Sequence, residues 1–181
     1  MTDFTTAVSH ALALEPRQGQ AIWFLGNRMT IKATAQSTGG LYGLVESWLA
    51  PGFSPQLHIH RREDESFWVL EGELTMRCGD ETFRARPGSY LFLPRLLPHT
   101  FVVEGDAPAR LLTLMTPGGA EGFFVEAGEP AVGDGPAPAA PLDVERLKRI
   151  AEKFGADIVG PAMTPTTPRG TTHQFTRERQ R

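Results

Sequence analysis

The sequence predicts an all-β domain, a sandwich or barrel, with one helix packed on it near the C-terminal end. Three observations predict this. Eight or more short stretches rich in β-branched, aromatic and aliphatic residues follow one another between Ile22 and Met115. Glycine and proline punctuate them, 19 and 15 of the 181 residues, which suits many turns and few helices. A helical period appears only after Asp143, where Val144, Leu147, Ile150, Ala151 and Phe154 recur and Gly155 stops the run.

A chain of this length fits one domain with its own core. Residues 1–20 form a weakly patterned N-terminal extension, with a short helix around Phe4 to Leu14 and His10 on the surface. It lacks the charged start and apolar run of a signal peptide, and no stretch is long enough to span a bilayer. Residues 21–127 form the β-barrel. Ile22–Leu25 and Met29–Ala35 are strands about Gly26-Asn27, and Ser37–Gly40 is a turn. Leu41–Leu49 is a strand with Tyr42, Leu44, Glu46 and Trp48 on one face, inward or outward. Gln56–His60 is a strand, Arg61–Asp64 a polar turn, and Glu65 opens a strand that returns beside the first as a hairpin. Leu74–Cys78 and Thr82–Ala85 flank the tight turn Gly79-Asp80-Glu81. Tyr90–Leu93 leads into Pro94, His99 opens the next strand, and Arg110–Met115 closes the set. Gly122–Ala127 is a short helix or strand whose Phe123 and Phe124 cover apolar surface. Residues 128–141 are a Pro/Gly/Ala-rich linker, residues 142–163 hold the C-terminal helix and an extension, and residues 164–181 are a polar, disordered tail with a solvated His173.

Net charge is -3, so nothing attracts nucleic acid or an anionic membrane. Cys78 stands alone, which excludes a disulfide within the chain and points to a reducing, cytoplasmic compartment. It alternates with Met76 and Leu74 and reads as a small core residue.

The chemistry concentrates around one strand. His58 and His60 lie two residues apart, so both imidazoles leave the same face. Two histidines and one carboxylate, Glu65, on one face with positions left open form the donor set of non-heme iron oxygenases. His99 is a fourth candidate. Taken alone, a histidine in a strand is usually a packing or surface residue, and an HxH pair followed by Glu also arises in a solvated hairpin. On the alternation, Phe67 and Val69 share the face of Glu65, and Phe101 shares that of His99. With Met76, and with Phe53 at the mouth, they are the expected walls of a substrate pocket.

The spacing then carries a family resemblance. Gly52, five residues, His58, one residue, His60, four residues, Glu65, six residues and Gly72 resemble the first cupin motif. Gly88, five residues, Pro94, one residue, Leu96, two residues and His99 resemble the second, with Leu96 in place of the usual Gly and Val103 in place of the frequent Asn. The resemblance implies a double-stranded β-helix, the jelly-roll barrel. It also implies one divalent transition metal ion (Fe, Ni, Mn, Co, Cu or Zn) on His58, His60, Glu65 and His99. Length, ligand set and the PGG…FF…G.P run after the barrel are similar to small single-domain quercetinase-like cupins. That likeness implies dioxygenation of a flavonol or related aromatic enol, with Glu65 as base. A polyketide cyclase or isomerase, and a non-catalytic small-molecule binder or sensor, use the same cup. The exposed sheet edges and an outward Trp68 point to a homodimer, common in this fold.

Overall fold

Alternating burial along the strands sets the architecture. The chain is described by a computed structural model over residues 11–133 and 143–166. In order, β1 (Gln20–Phe24), β2 (Asn27–Ala33), β3 (Gly43–Leu49) and β4 (Leu57–His60) come first. Then follow β5 (Asp64–Glu71), β6 (Leu74–Cys78), β7 (Glu81–Ala85), β8 (Tyr90–Leu93), β9 (His99–Val103) and β10 (Ala109–Thr116). The C-terminal part adds α1 (Gly122–Ala127), β11 (Glu129–Pro130), α2 (Val144–Lys153) and β12 (Ala156–Gly160).

Two antiparallel sheets stack as a jelly roll. One has the order β11-β1-β2-β3-β10-β5-β8, the other β12-β4-β9-β6-β7. Strand β10 shows the logic: Ala109, Leu111, Thr113 and Met115 are buried, while the residues between them are half-buried on the outer face. Val45 and Val69 of one sheet share a single core cluster with Met76 and Val103 of the other, all fully buried. Each such side chain contributes about 1.5–3 kcal/mol of hydrophobic stabilisation. In β3 the inward residues are Gly43, Val45, Ser47 and Leu49, which leaves the Leu44, Glu46 and Trp48 side outward. Trp68 is outward too, about half exposed, its ring edge-on to Tyr90.

Turn chemistry fixes the register. Between β1 and β2, Leu25 and Gly26 have φ of 48° and 77°, the signs a type I′ hairpin turn requires. Between β5 and β6, Gly72 has φ 77°, and a Cβ there would stand 2.7 Å from the Pro108 carbonyl oxygen and the Ala109 Cα. No other residue fits at that point.

The structure departs from the sequence expectations in several places. β4 and β5 do not pair as a hairpin: β4 pairs with β9 and β12, β5 with β10 and β8. Residues 61–63 carry the chain from one sheet to the other, a step that the same polar turn signal permits. The stretch after Gly155 is a strand, β12, that extends the second sheet along β4. Within the expected linker, Glu129 and Pro130 pair with Trp23 and Ile22. Residues 11–14 are irregular, and the rest of the expected Phe4–Leu14 helix, with His10, lies outside the described residues. So do residues 134–142, His173 and the tail beyond Thr166.

Helix α2 begins where its sequence says it should. The Asp143 side chain accepts from the Arg146 backbone N–H at 2.9 Å, an N-cap. Leu147, Ile150 and Ala151 are buried, and Gly155 at φ 82° ends the helix. Among the described residues, no helix is long and apolar enough to cross a membrane.

Candidate metal centre

The site sits between the two sheets. β4 sends His58 and His60 inward, and His99 of β9 is the direct cross-strand partner of His58, so their rings meet at 4.5 Å between centroids. Glu65 arrives from the opposite sheet on β5. One Glu65 oxygen lies 3.2 Å from His99 Nε2 and the other 3.5 Å from His60 Nε2. Donor atoms of His58, His60, Glu65 and His99 all lie within 4.8 Å of one another. His60, Glu65 and His99 are buried, and His58 is half-buried on the cavity wall.

Backbone carbonyls orient two of the rings. His58 Nδ1 lies 2.8 Å from the Gln56 oxygen and His99 Nδ1 3.0 Å from the Leu97 oxygen. Each Nδ1–H donates to a carbonyl, so in the neutral ring the Nε2 lone pair faces the cluster. Leu96 supports this arrangement: its backbone N–H donates to the His60 oxygen at 2.9 Å, tying the second motif to the first. Its φ is 69°, so the leucine adopts the left-handed turn that the usual glycine would give.

Electrostatics follow from crowding three imidazoles around one carboxylate. Burial, reinforced by the neighbouring His99, pushes the His58 pKa down to about 4. Burial alone would raise the Glu65 carboxyl, but His60, the His99 hydrogen bond and His58 outweigh it and draw it down to about 2. For His99 burial lowers the pKa, and the bond to Glu65 more than reverses that, so the net shift is upward. Glu65 is therefore a carboxylate at neutral pH.

These residues fit a divalent transition ion. His60 Nε2 is buried, aims into the cluster and has no hydrogen-bond partner among the described residues. Three imidazoles and a carboxylate are the donors such ions favour. Bonds of about 2.0–2.2 Å place ligand atoms about 3–4 Å apart around one ion, so a spread within 4.8 Å closes with small side-chain shifts.

The cluster opens into a cavity of about 140 Å³. Phe53, Phe67 and Phe101 line it, with ring contacts of 6.2 Å (Phe53–Phe101) and 5.9 Å (Phe67–Phe101). Val69 and Met76 do not. Both are fully buried core residues away from the wall. Alternation fixes which face a residue is on, not its depth along the strand. The sequence reading missed the cap. Phe123 and Phe124 of α1, Leu147 and Ala151 of α2, Phe154 and Ile158 complete the wall. The apolar stripe of α2 and the paired phenylalanines were visible signals, but not of what they cover. Glu63, 1% exposed and 3.8 Å from His60 Nδ1, was also missed, because RRED reads as a solvated turn.

Comparisons with known proteins agree with this geometry. A family model described as "Cupin domain" matches residues 46–115. Quercetin 2,3-dioxygenase of Bacillus subtilis (strain 168) is 25% identical over 149 residues, 82% of this chain. The match takes in 44% of that protein, so the chain spans less than half of its length. Polyketide synthase CurC of Streptomyces cyaneus is 31% identical over 124 residues, 67% of this chain and 74% of that protein. Among solved structures, a predicted oxalate decarboxylase from Thermotoga maritima is similar with a TM-score of 0.54, covering 59% of this chain and 99% of that one. At 16% identity, that likeness speaks for the fold alone.

Proposed function

Because this chain belongs to the cupin superfamily, we propose that it is a metal-dependent dioxygenase acting on an aromatic enol of the flavonol class. The observation that carries the reading is the placement of the His58, His60, Glu65 and His99 donors on the wall of a capped, phenylalanine-lined cavity. Such a site holds a flat ring by its faces and edges and directs its oxygen at the donors.

The four donors would hold the ion, and His58 and His99 are pre-set for it by their carbonyl contacts. A bound divalent ion supplies Lewis acidity that lowers the pKa of an enol oxygen. Glu65, ionised at neutral pH, accepts the enol proton on a carboxylate oxygen. Phe53, Phe67 and Phe101 position the ring, and the α1–α2 cap keeps bulk water from the enolate while dioxygen, the co-substrate, reacts with it. Size narrows the substrate. An engineered cavity of about 150 Å³ takes one benzene ring, so about 140 Å³ seats a single ring at the donors.

A second reading is favoured by the likeness to CurC, whose name places it in polyketide synthesis. Here the same pocket binds a poly-β-ketone and Glu65 takes a proton during ring closure, with no oxygen consumed. The test is a purified, metal-loaded protein in an oxygen electrode with quercetin and with single-ring enols. Substrate-dependent oxygen uptake, lost in Glu65→Gln, is expected. Ring closure without oxygen uptake selects the second reading, and tight binding without product rejects both.

A further inference from the structure

Two of the three site histidines have their orientation explained, and the third does not. His58 and His99 each place Nδ1 against the backbone carbonyl two residues earlier. His60 Nδ1 is buried and makes no hydrogen bond among the described residues. The nearest ionisable group facing it is the Glu63 carboxylate, with Oε2 at 3.8 Å. That oxygen is itself buried and without a hydrogen bond among the described residues. Two unsatisfied buried atoms of opposite type therefore face each other, a little beyond bonding distance.

The placement of Glu63 is specific. It stands in a run of charged residues, RRED, yet is only 1% exposed. Its neighbour Arg62 points to solvent and comes no closer than 3.9 Å to the other carboxylate oxygen. Across from Glu63 lies Gly155, where a Cβ would stand 3.7 Å from Oε2. The pocket around Oε2 is thus bounded by His60, Arg62 and the turn that joins α2 to β12.

We propose that Glu63 is the positioning residue for His60: its carboxylate accepts the Nδ1–H and holds the ring with Nε2 toward the ion. The assignment rests on the metal-binding reading above. A histidine that binds an ion through Nε2 carries its proton on Nδ1, and that proton needs an acceptor. A tilt of the imidazole or a rotation of the carboxyl group closes the remaining distance. A carboxylate is a stronger acceptor than a carbonyl oxygen. The site is therefore asymmetric, with His60 the strongest imidazole donor of the three.

The test uses Co(II) as the probe on the full chain, with wild type, Glu63→Gln and Glu63→Leu. Affinity is read by titration, ligand geometry by the visible absorption of the bound Co(II), and folding by circular dichroism. In the Zn(II)-loaded proteins, the histidine Nδ1–H resonances report hydrogen bonding directly. Removing the acceptor in Glu63→Leu is expected to weaken Co(II) binding about 10–100-fold and to change the absorption bands. Glu63→Gln, which keeps an accepting oxygen, is expected to retain most of the affinity while one Nδ1–H signal moves upfield. A residue with a merely structural role would lower the melting temperature of Glu63→Leu and leave the spectrum and the Nδ1–H signals unchanged. If Glu63→Leu does not fold, the Nδ1–H signals of Glu63→Gln decide alone. Identical signals in Glu63→Gln and wild type overturn the proposal. Wild type that binds no Co(II) at all overturns the metal reading instead.

Discussion

Replacing His99 by alanine separates the apo and metal-bound roles of the cluster. The change removes the 3.2 Å bond to Glu65 and the 3.0 Å bond to the Leu97 oxygen. Glu65 stays buried, with His60 Nε2 at 3.5 Å as its remaining partner. Leaving a buried carboxylate without one of its partners costs about 3 kcal/mol, the upper end of the range for an unsatisfied buried group. At about 2–4 °C per kcal/mol for a chain of this size, the metal-free variant should melt about 6–12 °C below wild type. Metal gives the second number. An ion at 100 times its Kd stabilises wild type by about 2.7 kcal/mol, a rise of about 5–11 °C. If losing one of four donors weakens binding about 100-fold, the same ion concentration stabilises the variant by only about 0.4 kcal/mol, a rise of about 1–2 °C. The assay is a thermal melt at pH 7.5 of both proteins, first with chelator and then with Co(II). A variant that keeps the full wild-type rise would show that residue 99 is no donor.

Four further outcomes are expected. Lys32 at 2.8 Å and Arg110 at 2.6 Å, against the opposing effect of burial, hold the Glu46 pKa below its usual 4.5. That stabilisation is present above pH 4.5 and lost as pH falls through the folded-state value. Glu46→Gln should therefore cost about 1.5–3 kcal/mol at pH 7 in a denaturant titration, and the gap to wild type should shrink as the buffer is taken well below pH 4.5. Gly72→Ala should lower the melting temperature sharply, because backbone stands 2.7 Å from its Cβ; unchanged stability would mean that the β5–β6 turn and Pro108 are not in contact. Leu96→Gly relieves a left-handed leucine, a gain of about 1–2 kcal/mol offset by about 0.5–1 kcal/mol of backbone entropy, so the variant should melt at or slightly above wild type. Arg61 bonds Asp157 and the Glu152 carbonyl, so Arg61→Ala should change global stability by less than about 1 kcal/mol yet speed amide exchange in α2 and β12, read by mass spectrometry.

How much of this was legible in the sequence depends on the range of the interaction. The pairing of His58 with His60 follows from a two-residue period and needs no tertiary information. That His99 joins them came only from the resemblance, since no local signal places residue 99 beside residue 58 across β4 and β9. The path of the chain after His60 is not written in the local sequence. A polar turn announces a change of direction but does not say whether the next strand pairs with the last one or faces it from the other sheet. β12 was lost because its partner is β4, about a hundred residues earlier, and its five residues have no alternation of their own. Glu63 shows the opposite failure. Three charged neighbours promised solvent, and the fold turned one of the four inward.

The split origin of the donors sets the order of events during maturation. Glu65 belongs to one sheet and the three histidines to the other, and His99 on β9 follows Glu65 by 34 positions. Before the two layers close, the chain offers an ion His58, His60 and Glu65 from one short stretch, without His99. A bound ion would join the two sheets as a rivet joins two plates. The full four-donor set would exist only in the closed fold, so metal content would report on chains that have completed folding.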